Sequence, residues 1–178
     1  MPNAIFVAEN MASTKLSSLL KTGRYQVAGV DTAINNGCTV VLGAKDPNQR
    51  EVYIVGATTA ATDPIYIVDT PELIYSQEIT QGLNNYNNAA GQLLRLRKPQ
   101  VGDHFSVSAR AITPIGLTPV VGNSLVTNAA GITWTEIAAP VGTESVQVLI
   151  EDSYVLGADP IGGRNITMYG CVVTNVID

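Results

Sequence analysis

Short apolar runs separated by turn residues recur along most of the chain. The runs at residues 25–30, 38–42, 51–55 and 65–68 are rich in β-branched and aromatic side chains, and each lies next to Gly, Asp or Pro. Runs of this length, with turn signals about every 8–12 residues, are typical of antiparallel strands. The pattern predicts a mainly β fold in which antiparallel strands form a β-barrel or sandwich.

The clearest alternation of apolar and polar residues covers positions 104–112. Because successive side chains of a strand point to opposite faces, one face of this strand is apolar and the other polar. The apolar face contains Phe105, Val107, Ala109 and Ala111, and the polar face contains His104, Ser106, Ser108 and Arg110. Further strands are predicted at 94–97, 132–137, 146–150 and 166–173, with prolines between several of them.

The first 24 residues differ from the strand-rich remainder. Residues 1–24 contain one short apolar patch, Ile5, Phe6 and Val7, and then a mainly polar stretch with room for at most two helical turns. We therefore expect an N-terminal arm with short helical turns. Two alternatives remain open: the arm is an edge strand and helix packed on its own domain, or it docks on a neighbouring subunit.

The middle of the chain carries a helix signal and a long polar interruption. Thr70, Pro71 and Glu72 supply a capping residue, a proline at the first helical position and an acidic first turn, which predict a short helix over 70–75. Residues 76–91 are rich in Asn and weakly patterned, as in a surface loop. Loops of this length often contact subunits or carry function.

A chain of 178 residues is long enough for one full hydrophobic core. We expect an arm at 1–24, a main β domain at 25–112 and a C-terminal β segment at 113–178. The C-terminal segment is either part of the same body or a small second lobe.

Residues that carry chemistry are few. The sequence has one histidine, two cysteines, 14% charged side chains and a formal net charge of −5. An acidic chain lacks the clustered Lys and Arg that neutralise phosphates, so we expect no direct contact with nucleic acid. No apolar stretch approaches the roughly 20 residues that span a bilayer, and no basic, signal-length start is present. We expect no membrane contact, and synthesis in the cytoplasm.

His104 is the first candidate for catalysis, since it follows Asp103 and a His–Asp pair can orient an imidazole. Adjacent residues on a strand point to opposite faces, however, and Ser106 on the same face would lie about 6.6 Å away. The sequence therefore favours a surface histidine.

Acidic residues and thiols are the candidates for a metal site. The carboxylates toward the C-terminus are Glu144, Glu151, Asp152 and Asp159. Their spacing fits no calcium loop, which indicates solvated carboxylates at strand ends. Cys38 and Cys171 are too far apart in sequence for a zinc motif and are expected to be buried thiols. We expect no catalytic residue, no cofactor and no metal.

The basic residues Arg95, Arg97 and Lys98, with Arg110 on a strand predicted to lie beside them, form the main concentration of positive charge. Arginine forks pair with carboxylates, so this face either binds an acidic partner or is simply solvated. The candidate partner-binding residues are Ile5, Phe6, Val7, Arg95, Arg97, Lys98 and Arg110.

Six segments together resemble a known family. They are residues 6–11 (FVAENM), 13–15 (STK), 36–43 (NGCTVVLG), 50–53 (REVY), 69–75 (DTPELIY) and 102–108 (GDHFSVS). In order and spacing they resemble the head decoration, or capsid cement, proteins of tailed phages, which are encoded beside the major capsid protein. The resemblance covers about residues 1–112, and 113–178 match no motif.

The resemblance implies a non-enzymatic structural virion protein. Such a protein binds the outer surface of the expanded capsid, bridges major capsid protein subunits and is made in the host cytoplasm. Its partners would be the major capsid protein and neighbouring copies of itself, as a trimer or dimer.

Two other classes of function are considered. The chain could be another β-rich virion component, of the tail or baseplate, or a glycan-binding surface domain in which Trp134 contacts the sugar. A small hydrolase would need a catalytic cluster around His104.

Overall fold

The computed structural model describes residues 3–72, 86–128, 130–158 and 165–177. The fold is mainly β, as predicted, with two strand-rich layers in a sandwich-like arrangement. The strands are β1 (Phe6–Asn10), β2 (Leu20–Val27), β3 (Val30–Asp31), β4 (Thr39–Asp46), β5 (Gln49–Gly56), β6 (Tyr66–Val68), β7 (Leu94–Arg97), β8 (His104–Ser108), β9 (Ile112–Thr113), β10 (Ser124–Thr127), β11 (Trp134–Ile137), β12 (Val146–Ala158) and β13 (Asn165–Val176).

Five strands close into a ring because β2 pairs with a strand on each side. It runs parallel to β5 and antiparallel to β7, and the order β2-β5-β4-β6-β7 returns to β2. The short strand β3 extends β2 outside the ring. Small aliphatic and aromatic side chains fill one core cluster of this layer, among them Val40, Val55, Leu94, Leu96 and Tyr25.

A glycine is needed where β2 faces this core. A Cβ on Gly23 would lie 2.6 Å from Leu96 Cδ1 and 2.9 Å from Val55 Cγ1, both inside van der Waals contact. A side chain at position 23 would therefore fit only if the buried side chains of Leu96 and Val55 moved.

The second layer is a seven-stranded sheet in the order β1-β8-β13-β12-β10-β11-β9. Its core centres on Phe105, whose ring lies 5.5 Å from that of Phe6 and 6.0 Å from that of Trp134. Two residues of the ring belong to the same buried cluster: Ile67 in β6 and Ile65 just before it. The two layers therefore share one apolar interface.

Several strand bounds differ from the predicted ones for local reasons. β2 ends at Val27 because Ala28 and Gly29 adopt positive φ angles of 50° and 79° and turn the chain into β3. The strand predicted at 104–112 ends at Ser108 and gives way to a 3-10 turn, Ala109–Ala111. β10 was not predicted, and β12 continues to Ala158, well beyond the predicted end at Ile150.

The N-terminal segment is an edge strand followed by two 3-10 turns, Ala12–Thr14 and Ser17–Leu19. β1 pairs antiparallel with β8 of its own chain, and Ile5 and Phe6 are buried. In the structure the N-terminal segment therefore packs on its own chain, which is the first of the two alternatives given above.

The C-terminal segment is built into the same sheet as the N-terminal strand. β10, β11, β12 and β13 share the seven-stranded sheet with β1 and β8. Residues 70–72, the first half of the helix predicted at 70–75, are described and are not helical, whereas residues 73–75 and most of the loop predicted at 76–91 lie outside the described residues. Within the described ranges no helix is long and apolar enough to cross a membrane.

Candidate interaction surfaces

Arg97 is a buried anchor inside the molecule. Its Nε donates to the Asp69 carboxylate, and its Nη1 donates to Ser13 Oγ at 3.1 Å and Thr14 Oγ1 at 3.2 Å. Only 7% of the side chain is exposed. Arg97 therefore ties the N-terminal turns to the ring, and its guanidinium is already occupied.

Arg95 binds the same aspartate from a more open position. Its Nη2 lies 2.7 Å from Asp69 Oδ2, its Nε donates to the Asp69 carbonyl oxygen at 2.7 Å, and 37% of its side chain is exposed. Arg95 and Arg97 thus share the one carboxylate of Asp69, which leaves an excess of one positive charge among these three side chains. Arg95 is the member that a second carboxylate can reach.

The prediction that Arg110 lies on a strand beside Arg95 and Arg97 is wrong. β7 belongs to the ring, whereas β8 and the turn after it belong to the other layer. Arg110 is exposed in the 3-10 turn Ala109–Ala111. Lys98 is half-buried, and its backbone N–H donates to the Leu19 carbonyl oxygen at 2.9 Å. The predicted basic face is therefore divided.

A cleft brings four of the seven predicted contact residues together. This β1 cleft has a volume of about 320 Å³ and is lined on one side by Phe6, Val7 and Ala8 of β1. The opposite wall contains Asn36, Asp69, Thr70, Pro71, Glu72, Arg95 and Arg97. Ile5 is fully buried beside the cleft and does not line it.

Glu72 makes the electrostatics of the β1 cleft mixed. Burial raises the pKa of the Glu72 carboxyl, a hydrogen bond from Asn36 Nδ2 at 3.3 Å partly opposes this, and the nearby Asp69 charge raises the pKa further. The cleft therefore holds both a partly exposed arginine, Arg95, and a carboxyl whose pKa is raised, Glu72.

A second surface is an apolar loop at residues 114–123. Its aliphatic side chains Ile115, Leu117, Val120 and Val121 are 62%, 100%, 55% and 47% exposed. Exposed apolar groups gathered in one loop are unusual in a protein that does not bind a partner.

The buried side chain of Glu136, in β11, holds this loop in place. Its carboxylate accepts hydrogen bonds from Ile115 N at 2.9 Å, Val120 N at 2.8 Å and Asn123 Nδ2 at 2.6 Å. Burial opposes ionisation of Glu136, but these three donors outweigh it and lower the pKa of the carboxyl. The loop is thus held in one shape while its aliphatic side chains face solvent.

A third surface is a projecting β-hairpin. β10 pairs with β12 only at Gln147–Leu149, whereas β12 and β13 continue together beyond that point. Residues 151–157 are all exposed, including Tyr154, Val155 and Leu156. We call residues 151–158 and 165–167 the arm; it is distinct from the N-terminal arm expected at residues 1–24. A two-stranded ribbon cannot bury its own apolar side chains, so the arm presents them to solvent.

The loop and the arm leave the sheet side by side. Gly122 N donates to the Ile150 carbonyl oxygen at 2.9 Å, and Ile150 N donates to the Asn123 carbonyl oxygen at 3.0 Å. Neither surface is predicted by the sequence pattern. The run Tyr154–Val155–Leu156 was the available signal for the arm, but a run of three apolar residues does not show that a strand lacks neighbours.

The residues around His104 do not form a catalytic triad. Asp103 accepts hydrogen bonds from Ala12 N at 2.7 Å and Gln100 N at 2.9 Å, and Ser106 Oγ donates to the Glu9 carboxylate. His104 Nδ1 instead lies 3.4 Å from Glu151 Oε2 on the surface.

The acidic candidates are dispersed. Glu144 accepts hydrogen bonds from Val141 N at 3.1 Å, Gly142 N at 2.9 Å and Gln147 Nε2 at 3.0 Å, so it braces a turn. Asp159 lies outside the described residues. In the part of the chain that the structure describes, no group of His, Cys, Asp or Glu is arranged to hold a metal ion.

The two thiols lie in separate core clusters, as buried small side chains. Cys38 packs in the ring cluster and Cys171 in the cluster between the layers. Burial raises the pKa of Cys38 to about 12 and also raises the pKa of Cys171. Both thiols are therefore protonated and unreactive at neutral pH.

Trp134 is not available to a sugar. Its side chain is fully buried, and its Nε1 donates to the Gly37 carbonyl oxygen at 3.1 Å. The reading of Trp134 as a glycan-contacting residue is therefore wrong.

Comparisons of the chain with protein-family models, curated proteins and solved structures found no match.

Proposed function

We propose that this chain is a structural virion protein that binds the outer surface of the expanded capsid of a tailed phage. It would stabilise the capsid by bridging major capsid protein subunits, without catalysing a reaction. The family resemblance of residues 1–112 motivates the proposal, and the loop at 114–123 is the observation that carries it.

The loop has the properties that docking on a rigid lattice requires. A preorganised loop loses little conformational entropy on binding, and Glu136 supplies that preorganisation through three hydrogen bonds. Burying one large aliphatic side chain contributes about 1.5–3 kcal/mol. Repetition on a lattice multiplies such modest contacts, provided that several are made at once. A ligand that binds only the expanded state then stabilises that state.

Capsid binding can be tested with purified protein and isolated phage heads. We expect the protein to cosediment with expanded heads, and quantitative mass spectrometry of virions to find it in a simple ratio to the major capsid protein. Leu117→Ser should weaken binding about tenfold or more, since it removes a fully exposed side chain of the loop.

Val101→Ser is the matched control, because Val101 is 63% exposed in the turn before β8 and lies outside the loop. It should leave binding unchanged. A handful of copies per virion would assign the chain to the tail or baseplate, and its absence from virions would overturn the proposal.

A further inference from the structure

The outer edge of β1 has unpaired backbone groups. Ser108 N donates to the Ile5 carbonyl oxygen at 3.0 Å and Ile5 N donates to Ser108 Oγ at 3.0 Å, so the groups of Ile5 point toward β8. Alternate residues of an antiparallel strand point the same way, which turns the N–H and C=O groups of Phe6 and Ala8 outward. No described residue pairs with them. Such an edge is a template for an added strand.

The β1 cleft gives this edge a recognition chemistry. Phe6, Val7 and Ala8 form one wall, and the half-exposed Arg95 lies in the wall opposite. A strand added here would place backbone groups against β1 and side chains in the cleft, where a carboxylate could reach Arg95.

The arm has the complementary features. Its outer edge has no strand beside it among the described residues once β10 ends its pairing at Leu149 and Asn123 pairs with Ile150. The arm is regular between two bulges, from Asp152 to Val155, which matches the short β1 edge in length. Asp152 is exposed and forms no ion pair within the described residues, and Tyr154 projects from the same face of the strand.

We propose that the arm of one copy of this chain adds as a strand to the outer edge of β1 in a second copy, with Asp152 beside Arg95. A carboxylate and an aromatic ring would then enter the β1 cleft together, and the exposed arm would be covered.

The contact is head to tail, because the arm and the β1 cleft are different surfaces of one chain. Head-to-tail contacts close into a ring when the rotation between copies allows it and form a filament otherwise. Each copy in a ring has both its arm and its cleft occupied.

Self-association can be measured by sedimentation equilibrium without a capsid. The test of self-association is therefore independent of the test of capsid binding. We expect the full chain to associate at concentrations below about 1 mM, the weak end of measurable affinities. Asp152→Arg should weaken association at least about tenfold, because it places like charges at the contact.

Two more variants separate the contact surfaces. Ala8→Pro removes an outward N–H, a change that an edge strand tolerates, and should block the cleft. Leu117→Ser alters the loop and should leave association unchanged. Circular dichroism of each variant tests whether it is folded.

Mixing gives the sharpest result. Ala8→Pro protein retains its arm and Asp152→Arg protein retains its cleft edge, so the mixture should recover a heterodimer that neither variant forms with itself. A monomeric parent chain, a mixture without heterodimer, or an equal loss from Leu117→Ser would each overturn the proposal. If Ala8→Pro does not fold, the proposal is tested by the other two variants: Asp152→Arg should lose self-association and Leu117→Ser should keep it.

Discussion

Asn123 and Glu136 are joined by a 2.6 Å hydrogen bond that connects the end of the apolar loop to the middle of β11. Ser124, the next residue, pairs with Ile137 in the ladder between β10 and β11. The same carboxylate thus fixes the loop at its beginning, its middle and its end. A buried carboxylate that holds an exposed apolar loop in place indicates that the conformation of the loop is important for binding a partner.

We expect Glu136→Gln to loosen the loop while the sheet remains intact. The amide keeps one acceptor oxygen but places an NH₂ group against backbone donors, and each unsatisfied buried donor costs about 1–3 kcal/mol. Hydrogen exchange at the Ile115 and Val120 amides should accelerate by about tenfold or more. Glu151→Gln, at an exposed carboxylate, is the control, and unchanged exchange in the Glu136 variant would show that the loop is held by other contacts.

Acid should destabilise the fold through Glu136 and Glu144. Burial raises the pKa of both carboxyls, but the hydrogen bonds that they accept outweigh it and hold the pKa of each below the unfolded value of about 4.3. Their contribution to the free energy of unfolding is therefore present above about pH 4.3 and lost as the pH falls through the folded pKa values.

Urea denaturation between about pH 2 and 6 measures this effect. The variant Glu136→Gln should have a flatter acid limb than the parent chain, because it has one depressed carboxyl fewer. An identical acid limb would mean that Glu136 titrates normally.

Gly23→Ala should destabilise the ring. The added Cβ would meet Leu96 and Val55 at less than 3.0 Å, and overpacking of this kind costs about 1–3 kcal/mol. Gly56→Ala in β5 is the matched control, since no atom lies within 4 Å of its Cβ position. That change should be neutral or stabilise the protein by up to about 1 kcal/mol. Equal thermal midpoints for the two variants would contradict the packing described for Gly23.

The sequence pattern predicts the layers better than it predicts the surfaces. β7 has the predicted bounds, 94–97, because its flanking turn residues and alternation are local signals. The extension of β12 to Ala158 was missed because nothing near Tyr154 reveals that β10 stops alongside Leu149. The arm is exposed because β10 does not continue beside it. Since β10 is distant from the arm in the sequence, the residues of the arm carry no signal of this.

The β1 cleft illustrates the same limit for a site. The sequence indicates both Phe6 and Arg95 as contact residues, the first through its apolar run and the second through its charge. Their meeting depends on β1 pairing with β8 in one layer and β7 pairing with β2 in the other. The sequence indicates Arg97 through the same charge, but its burial against Asp69 depends on the turn that follows β1.

Arg97 and Arg95 share Asp69 as a partner but differ in burial, so they form a matched pair for mutation. Arg97→Met removes the hydrogen bonds to Asp69, Ser13 and Thr14, and deleting one partner of a buried ion pair costs about 3–5 kcal/mol. Arg95→Met should cost about 1 kcal/mol, because this side chain is 37% exposed and water replaces part of its interaction. Urea midpoints compared at constant slope measure both losses. If the two variants lose equal stability, the N-terminal turns are held by contacts other than Arg97.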